Sequence, residues 1–91
     1  MQHCMEELAL SFPSLRGVIV ASAWDARAFD KWASGPAPCH GARCAARFVL
    51  WVWNPKTRWR CGSFELQEAL CCWDDEHRAA FVAWASTPWW P

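Results

Sequence analysis

The chain contains no tyrosine, a single isoleucine (Ile19), two lysines (Lys31 and Lys56) and four glycines in 91 residues. Residues 1–20 lack a basic leader followed by a long apolar core, and Glu6 and Glu7 interrupt the first apolar stretch, so no secretory signal is read there. No uninterrupted apolar run approaches the roughly 20 residues needed to span a bilayer. The expectation is a cytoplasmic protein without a membrane partner. In a reducing compartment Cys4, Cys39, Cys44, Cys61, Cys71 and Cys72 are expected as thiols and not as a disulfide framework.

Motifs for chemistry are missing too. There is no glycine-rich phosphate loop, no G-x-S-x-G and no carboxylate pair that spacing singles out, and no recognised signature surrounds any cysteine. Cys39, His40, Cys44 and Cys61 have the donor types for a tetrahedral zinc ion, but the second C-x2-C knuckle of a well-defined site is lacking. Cys71 and Cys72 are adjacent, and on a helix such neighbours point about 100° apart, so both do not easily face one ion. The expectation is a non-enzymatic protein without a metal or cofactor.

What is present is aromatic bulk. Nine tryptophans and five phenylalanines stand in a chain that is 54% apolar, which suits one small globular domain over residues 1–91. Each large aromatic can bury on the order of 150–250 Å². A chain this small cannot hide nine indoles completely, so some tryptophan surface is exposed or covered by another molecule, a homodimer being one such cover.

Formal net charge is zero but unevenly placed. Residues 35–62 hold Arg43, Arg47, Lys56, Arg58 and Arg60 with no acid. Residues 63–91 hold Glu65, Glu68, Asp74, Asp75 and Glu76 against Arg78 alone. Either the basic middle and the acidic end neutralise each other across a packed interface, or they form a bipolar surface that steers a charged partner.

Punctuation falls at Pro13, at Gly35-Pro36-Ala37-Pro38, at Asn54-Pro55, at Cys61-Gly62-Ser63 and at Thr87-Pro88. The intervals read as helices: Cys4–Leu10; Ala23–Ala33, capped by Ser22; a helix opened by Pro38 and reaching Trp53; Phe64–Trp73, capped by Ser63; and Asp75–Ser86, capped by Asp74. Residues 14–21 suit either a strand or a helical turn. Cys44, Phe48, Trp51 and Val52 follow helical spacing. The rival for residues 48–61 is a short β-hairpin turning at Asn54-Pro55. Leu66, Leu70 and Trp73 should line one helix face, and His77, Phe81 and Trp84 the next. The expected fold is all-α, a compact bundle of four to five short helices. Its closing Trp89-Trp90 should fold back as a clasp, one indole mostly buried and the other partly covered.

The functional reading is a small binding protein. Lys56-Thr57-Arg58-Trp59-Arg60 interleaves cations with an aromatic, and tryptophan and arginine are enriched at binding hot spots. Arg43 and Arg47 extend the basic set, and Asp74, Asp75 and Glu76 form an acidic trio able to imitate phosphates. The expected partner is another protein or a nucleoprotein complex. An inhibitor of a host defence complex, encoded by a phage or mobile element, would have this length and split charge. The alternative is direct nucleic-acid binding through residues 43–60, since basic and aromatic side chains contact phosphates and stack bases.

Overall fold

A computed structural model describes residues 2–19 and 24–91. These form α1 (Gln2–Leu10), a 3-10 turn (Pro13–Leu15), α2 (Arg16–Ile19), α3 (Ala26–Ala33), α4 (His40–Trp53), α5 (Leu66–Cys72) and α6 (Asp75–Ser86). Among the described residues there is no strand, so the hairpin alternative for residues 48–61 gives way to α4 running through Trp53. The fold is an all-α bundle, and among the described residues no helix is long and apolar enough to cross a membrane.

α4 is the axis. Ala42, Cys44, Ala45, Ala46, Phe48, Val49, Leu50 and Val52 are all buried, so this helix is enclosed on most sides instead of presenting one stripe. α1 brings Met5, Leu8 and Ala9 to the core, and the 3-10 turn brings Phe12 and Leu15. The Phe48 ring is the focus of the aromatic packing, with centroids of Phe64 at 5.1 Å, Trp84 at 5.2 Å, Phe81 at 5.3 Å and Phe12 at 5.7 Å. Edge-to-face pairs at these separations add to plain area burial.

The starts of α3 and α5 differ from expectation. α3 begins later than Ala23, because Asp25 and not Ser22 is the cap: its carboxylate accepts from the backbone N–H groups of Arg27 and Ala28. Ser22 itself lies outside the described residues. The chain enters this cap extended, with the buried Trp24 tied by its backbone N–H to Glu6 Oε2 at 2.7 Å. α5 begins at Leu66 and not Phe64, with no side-chain cap from Ser63. Phe64 packs its ring 5.1 Å from Phe48 and 5.9 Å from Trp51, and that contact holds residues 63–65 out of the helix.

The face of α5 also differs. Leu66 and Leu70 are exposed, and the side that meets α4 carries Ala69 and Glu68. Close approach explains the small residues: a Cβ on Gly41 of α4 would lie 3.8 Å from the Cys72 carbonyl oxygen. Trp73 ends α5 in an extended conformation, buries its ring and donates Nε1–H to the Gly41 carbonyl at 3.1 Å. Residues 13–19 resolve the ambiguity at 14–21 as helical turns, with residues 20 and 21 outside the described set.

The C-terminal segment does fold back. Trp84 Nε1–H donates to the Trp89 carbonyl at 3.1 Å, and Trp90 meets Trp51 and Trp84 edge-on at 4.8 and 5.2 Å. Trp89 is partly buried, and Trp90 stays 49% exposed.

Candidate functional site

The basic segment sits on the connection between α4 and α5, and the structure pins that connection from beneath. Asn54 caps α4, and its side-chain oxygen accepts from the Lys56 N–H while its carbonyl accepts from Trp59 Nε1–H at 3.2 Å. The main anchor is Asp30 on α3, only 6% exposed. Its two carboxylate oxygens accept from the backbone N–H groups of Arg60 and Cys61, each at 2.9 Å. A buried carboxylate needs such charge-assisted bonds to offset desolvation. From α4, Arg47 Nε–H donates to the Cys61 carbonyl at 2.6 Å. Gly62 closes the segment at φ +103°, where a Cβ would come within 3.1 Å of the Arg47 guanidinium. Both the dihedral and the close approach require glycine.

On this pinned segment Lys56, Arg58 and Arg60 point to solvent, and among the described residues none makes a side-chain hydrogen bond or ion pair. Trp59 is partly buried beside them. A cleft of about 220 Å³ runs between the segment and α4, lined by Arg47, Trp51, Thr57, Trp59 and Phe64 among others.

Arg43 and Arg47 do not join this surface. Arg43 is half-buried and donates to the carbonyls of Ala33 at 3.0 Å and Gly35 at 2.9 Å, satisfying the end of α3 and the turn after it. Arg47 spans from Cys61 to Glu68 Oε1, 3.2 Å from its Nη1. Both arginines brace loops against α4.

The acidic trio is also divided. Asp74 is the N-cap of α6, accepting from the His77 backbone N–H at 2.9 Å and from its ring Nδ1 at 2.7 Å. The backbone bond first, then the ring bond, hold the Asp74 carboxyl below its usual range. Asp75 pairs with Arg78 at 3.0 Å on an exposed surface, where such a pair contributes little. Glu76 is exposed.

Sequence reasoning missed the far side of His77. His77 Nδ1–H donates to Asp74, and on the other side of the ring Nε2 lies within hydrogen-bond distance of the Ser14 hydroxyl, 2.7 Å away. The order Ser14–His77–Asp74 is that of a serine nucleophile with its base and orienter. Here it also ties the 3-10 turn to α6, and it borders a cavity of about 190 Å³ lined by Ser14, Cys39, Gly41, Cys72, Trp73 and His77. The partners lie 63 residues apart, so no local pattern announces them.

A second cluster joins α4 to α5. His40, Cys44 and Cys72 bring their ligand atoms within 4.8 Å of one another. His40 Nε2 lies 2.6 Å from Glu68 Oε2, and Nδ1 faces the Cys72 sulfur at 3.2 Å. The bond from His40, ahead of other causes, lowers the Glu68 carboxyl. Burial first, then the Glu68 charge, pushes the Cys44 thiol up to about 11. Cys61, one of the four zinc donors weighed from sequence, is elsewhere: buried against Asp30, its thiol is pushed up to about 12 by burial and then by that carboxylate. Cys39 is exposed and likewise stands outside the cluster.

No family model matches the chain, and no curated protein or solved structure does either.

Proposed function

We propose that the chain is a non-enzymatic binding protein that docks the Lys56–Arg60 segment against an acidic patch on another protein. The observation that carries this reading is the combination of three unpaired cations with a backbone already fixed by Asp30, Arg47 and Asn54. A loop ordered before binding loses less conformational entropy when it docks, and cations at an interface steer encounter and set partner choice. Trp59 adds a rigid apolar shoulder between them.

A protein partner is favoured over nucleic acid on two grounds. Two of the five cations of residues 43–60 are spent on backbone carbonyls, which cuts the phosphate-contacting set to three. The Trp59 indole is partly buried and its N–H engaged, so it offers less face for base stacking. The narrower form of the proposal, an inhibitor of a host defence complex encoded by a phage or mobile element, draws only on chain length and split charge. Among the described residues, its phosphate-mimicking trio has Glu76 as the carboxylate without an intramolecular partner.

The test compares wild type with Arg58→Glu/Arg60→Glu. Tagged protein captures its partner from nuclease-treated lysate of the native host, and the affinity of the recovered pair is then measured by calorimetry. Both side chains are exposed, so folding is retained, and binding should weaken ~10-fold or more as steering is reversed. Equal affinity overturns the proposal. Salt-sensitive binding to an oligonucleotide, lost in the double variant, would replace it with the nucleic-acid alternative.

A further inference from the structure

We propose that His40, Cys44 and Cys72 form a binding site for a zinc-class divalent ion, with Glu68 as the residue that orients His40. The site lies apart from the docking surface, the two sharing only Arg47 as a brace, and goes beyond it.

The argument starts from helix spacing. His40 and Cys44 are four residues apart on α4, and Glu68 and Cys72 are four apart on α5, so each pair projects from one helix face. The two faces meet where α5 packs on α4, and the three donor atoms lie within 4.8 Å of one another, a spread that side-chain rotation closes to the ~3.4–3.8 Å between ligands on one tetrahedral ion. Two sulfurs and one imidazole nitrogen are the soft-to-borderline set that zinc prefers, while hard oxygen-seeking ions do not.

The groups behind the three donors are arranged as such sites require. Metal-bound imidazoles usually donate their other N–H to a carboxylate, which fixes the tautomer and the ring. Here His40 Nε2–H donates to Glu68 Oε2 at 2.6 Å, leaving the Nδ1 lone pair facing the Cys72 sulfur. Glu68 is itself held by Arg47 through its other oxygen at 3.2 Å. Cys44, 2% exposed, forms the floor, while His40 and Cys72 are exposed and give the ion its entry. Binding forms two metal–sulfur bonds and one metal–nitrogen bond, and the two thiol protons leave to solvent. Three protein donors leave one position for water, and Cys72 lines the cavity that also holds Ser14 and His77. Adjacent Cys71 points away, as the helical offset between neighbours demands.

The experiment uses the full chain, purified reduced and stripped with a chelator, then titrated with zinc, and with cobalt as a spectroscopic probe. The expected result is one ion per chain with the thiolate-to-cobalt absorption of a tetrahedral site. Cys72→Ser and His40→Ala alter exposed side chains and should retain the helical fold by circular dichroism while lowering zinc affinity by ~100-fold or more. Glu68→Gln should lower it ~10–100-fold, as outer-shell partners do, with the cobalt spectrum kept. Cys71→Ser should bind like wild type. Absence of stoichiometric binding, or a Cys71→Ser loss equal to that of Cys72→Ser, overturns the site. An unchanged affinity in Glu68→Gln overturns the positioning role.

Discussion

Asp30 is the residue whose removal should most disturb both stability and the docking surface. Its carboxylate is buried, and its two oxygens are the acceptors for the Arg60 and Cys61 backbone N–H groups at 2.9 Å each. Asp30→Asn keeps the shape but offers one acceptor oxygen where two donors converge, so one N–H faces an amide NH2. Hydrogen bonds to a charged group contribute about 1.5–3 kcal/mol each. Losing one and weakening the other should cost roughly 2–3 kcal/mol, after part of the carboxylate's desolvation cost is recovered. Asp30→Ala strands both donors, the Cys61 one in the interior, and should cost roughly 3–5 kcal/mol. A domain of this length carries roughly 5–14 kcal/mol in all, so the alanine variant stands near the edge of folding. Urea unfolding followed by tryptophan fluorescence measures both, with the slope expected to stay constant. Two local readouts accompany it. The Arg60 and Cys61 amides should lose hydrogen-exchange protection before those of α4. The Cys61 thiol, raised to about 12 by burial and next by Asp30, should titrate lower in Asp30→Asn. An asparagine variant as stable as wild type, with the two amides still protected, would refute the anchoring argument and show burial cost cancelling the bonds.

Other expectations follow from the same contacts. Truncation after Pro88 removes the Trp84–Trp89 hydrogen bond and the Trp90 edge contacts with Trp51 and Trp84, and should lower stability by roughly 2–4 kcal/mol in thermal melting; an unchanged Tm would return the two indoles to a partner-facing role. Ser14→Ala removes the hydrogen bond with His77 and should cost about 0.5–1.5 kcal/mol by urea titration; no loss would mean that water replaces the hydroxyl without cost. Asp74 and Glu68 both have folded pKa values below their ordinary 3.8 and 4.5, so their stabilisation is present above those values and is lost as pH falls through the lowered ones. The wild-type urea midpoint should therefore drop below about pH 4, and Asp74→Asn should flatten that drop; parallel profiles would refute the assignment.

How far the sequence speaks depends on whether a feature is local. α4 was readable because Cys44, Phe48, Trp51 and Val52 keep helical spacing over a long run, and α6 because Asp74 is a cap followed by acids in the first turn. The start of α5 was not, since Ser63 has the better capping chemistry and the Phe64 ring, placed on Phe48 and Trp51, overrides it. The same tertiary demand inverts the α5 face: a close crossing beside Gly41 selects Ala69, and the larger Leu66 and Leu70 turn outward. Site residues divide in the same way. Lys56, Arg58 and Arg60 were visible as a cluster in one loop. Asp30, Ser14 and Cys72 act through partners 30, 63 and 32 residues away, and no spacing rule reaches that far.

The division of the basic segment also decides between the two readings of its charge. Neutralisation across an interface requires the middle cations to meet the acidic end, and among the described residues that happens through the Arg47 contact with Glu68. Arg43 turns instead to carbonyls left open where α3 ends in a glycine- and proline-rich turn, and such carbonyls can be satisfied without any acid. Three cations therefore remain uncompensated on one loop, while Glu65, Asp75 and Glu76 stand exposed on later elements. The surface keeps much of the segregation written in the chain. What makes that charge usable is not its count but its placement. Asp30, a buried acid outside both charged segments, holds the backbone of Arg60, so the cations stand on a fixed frame, and in the proposed docking the ordering cost would be met during folding and not during binding.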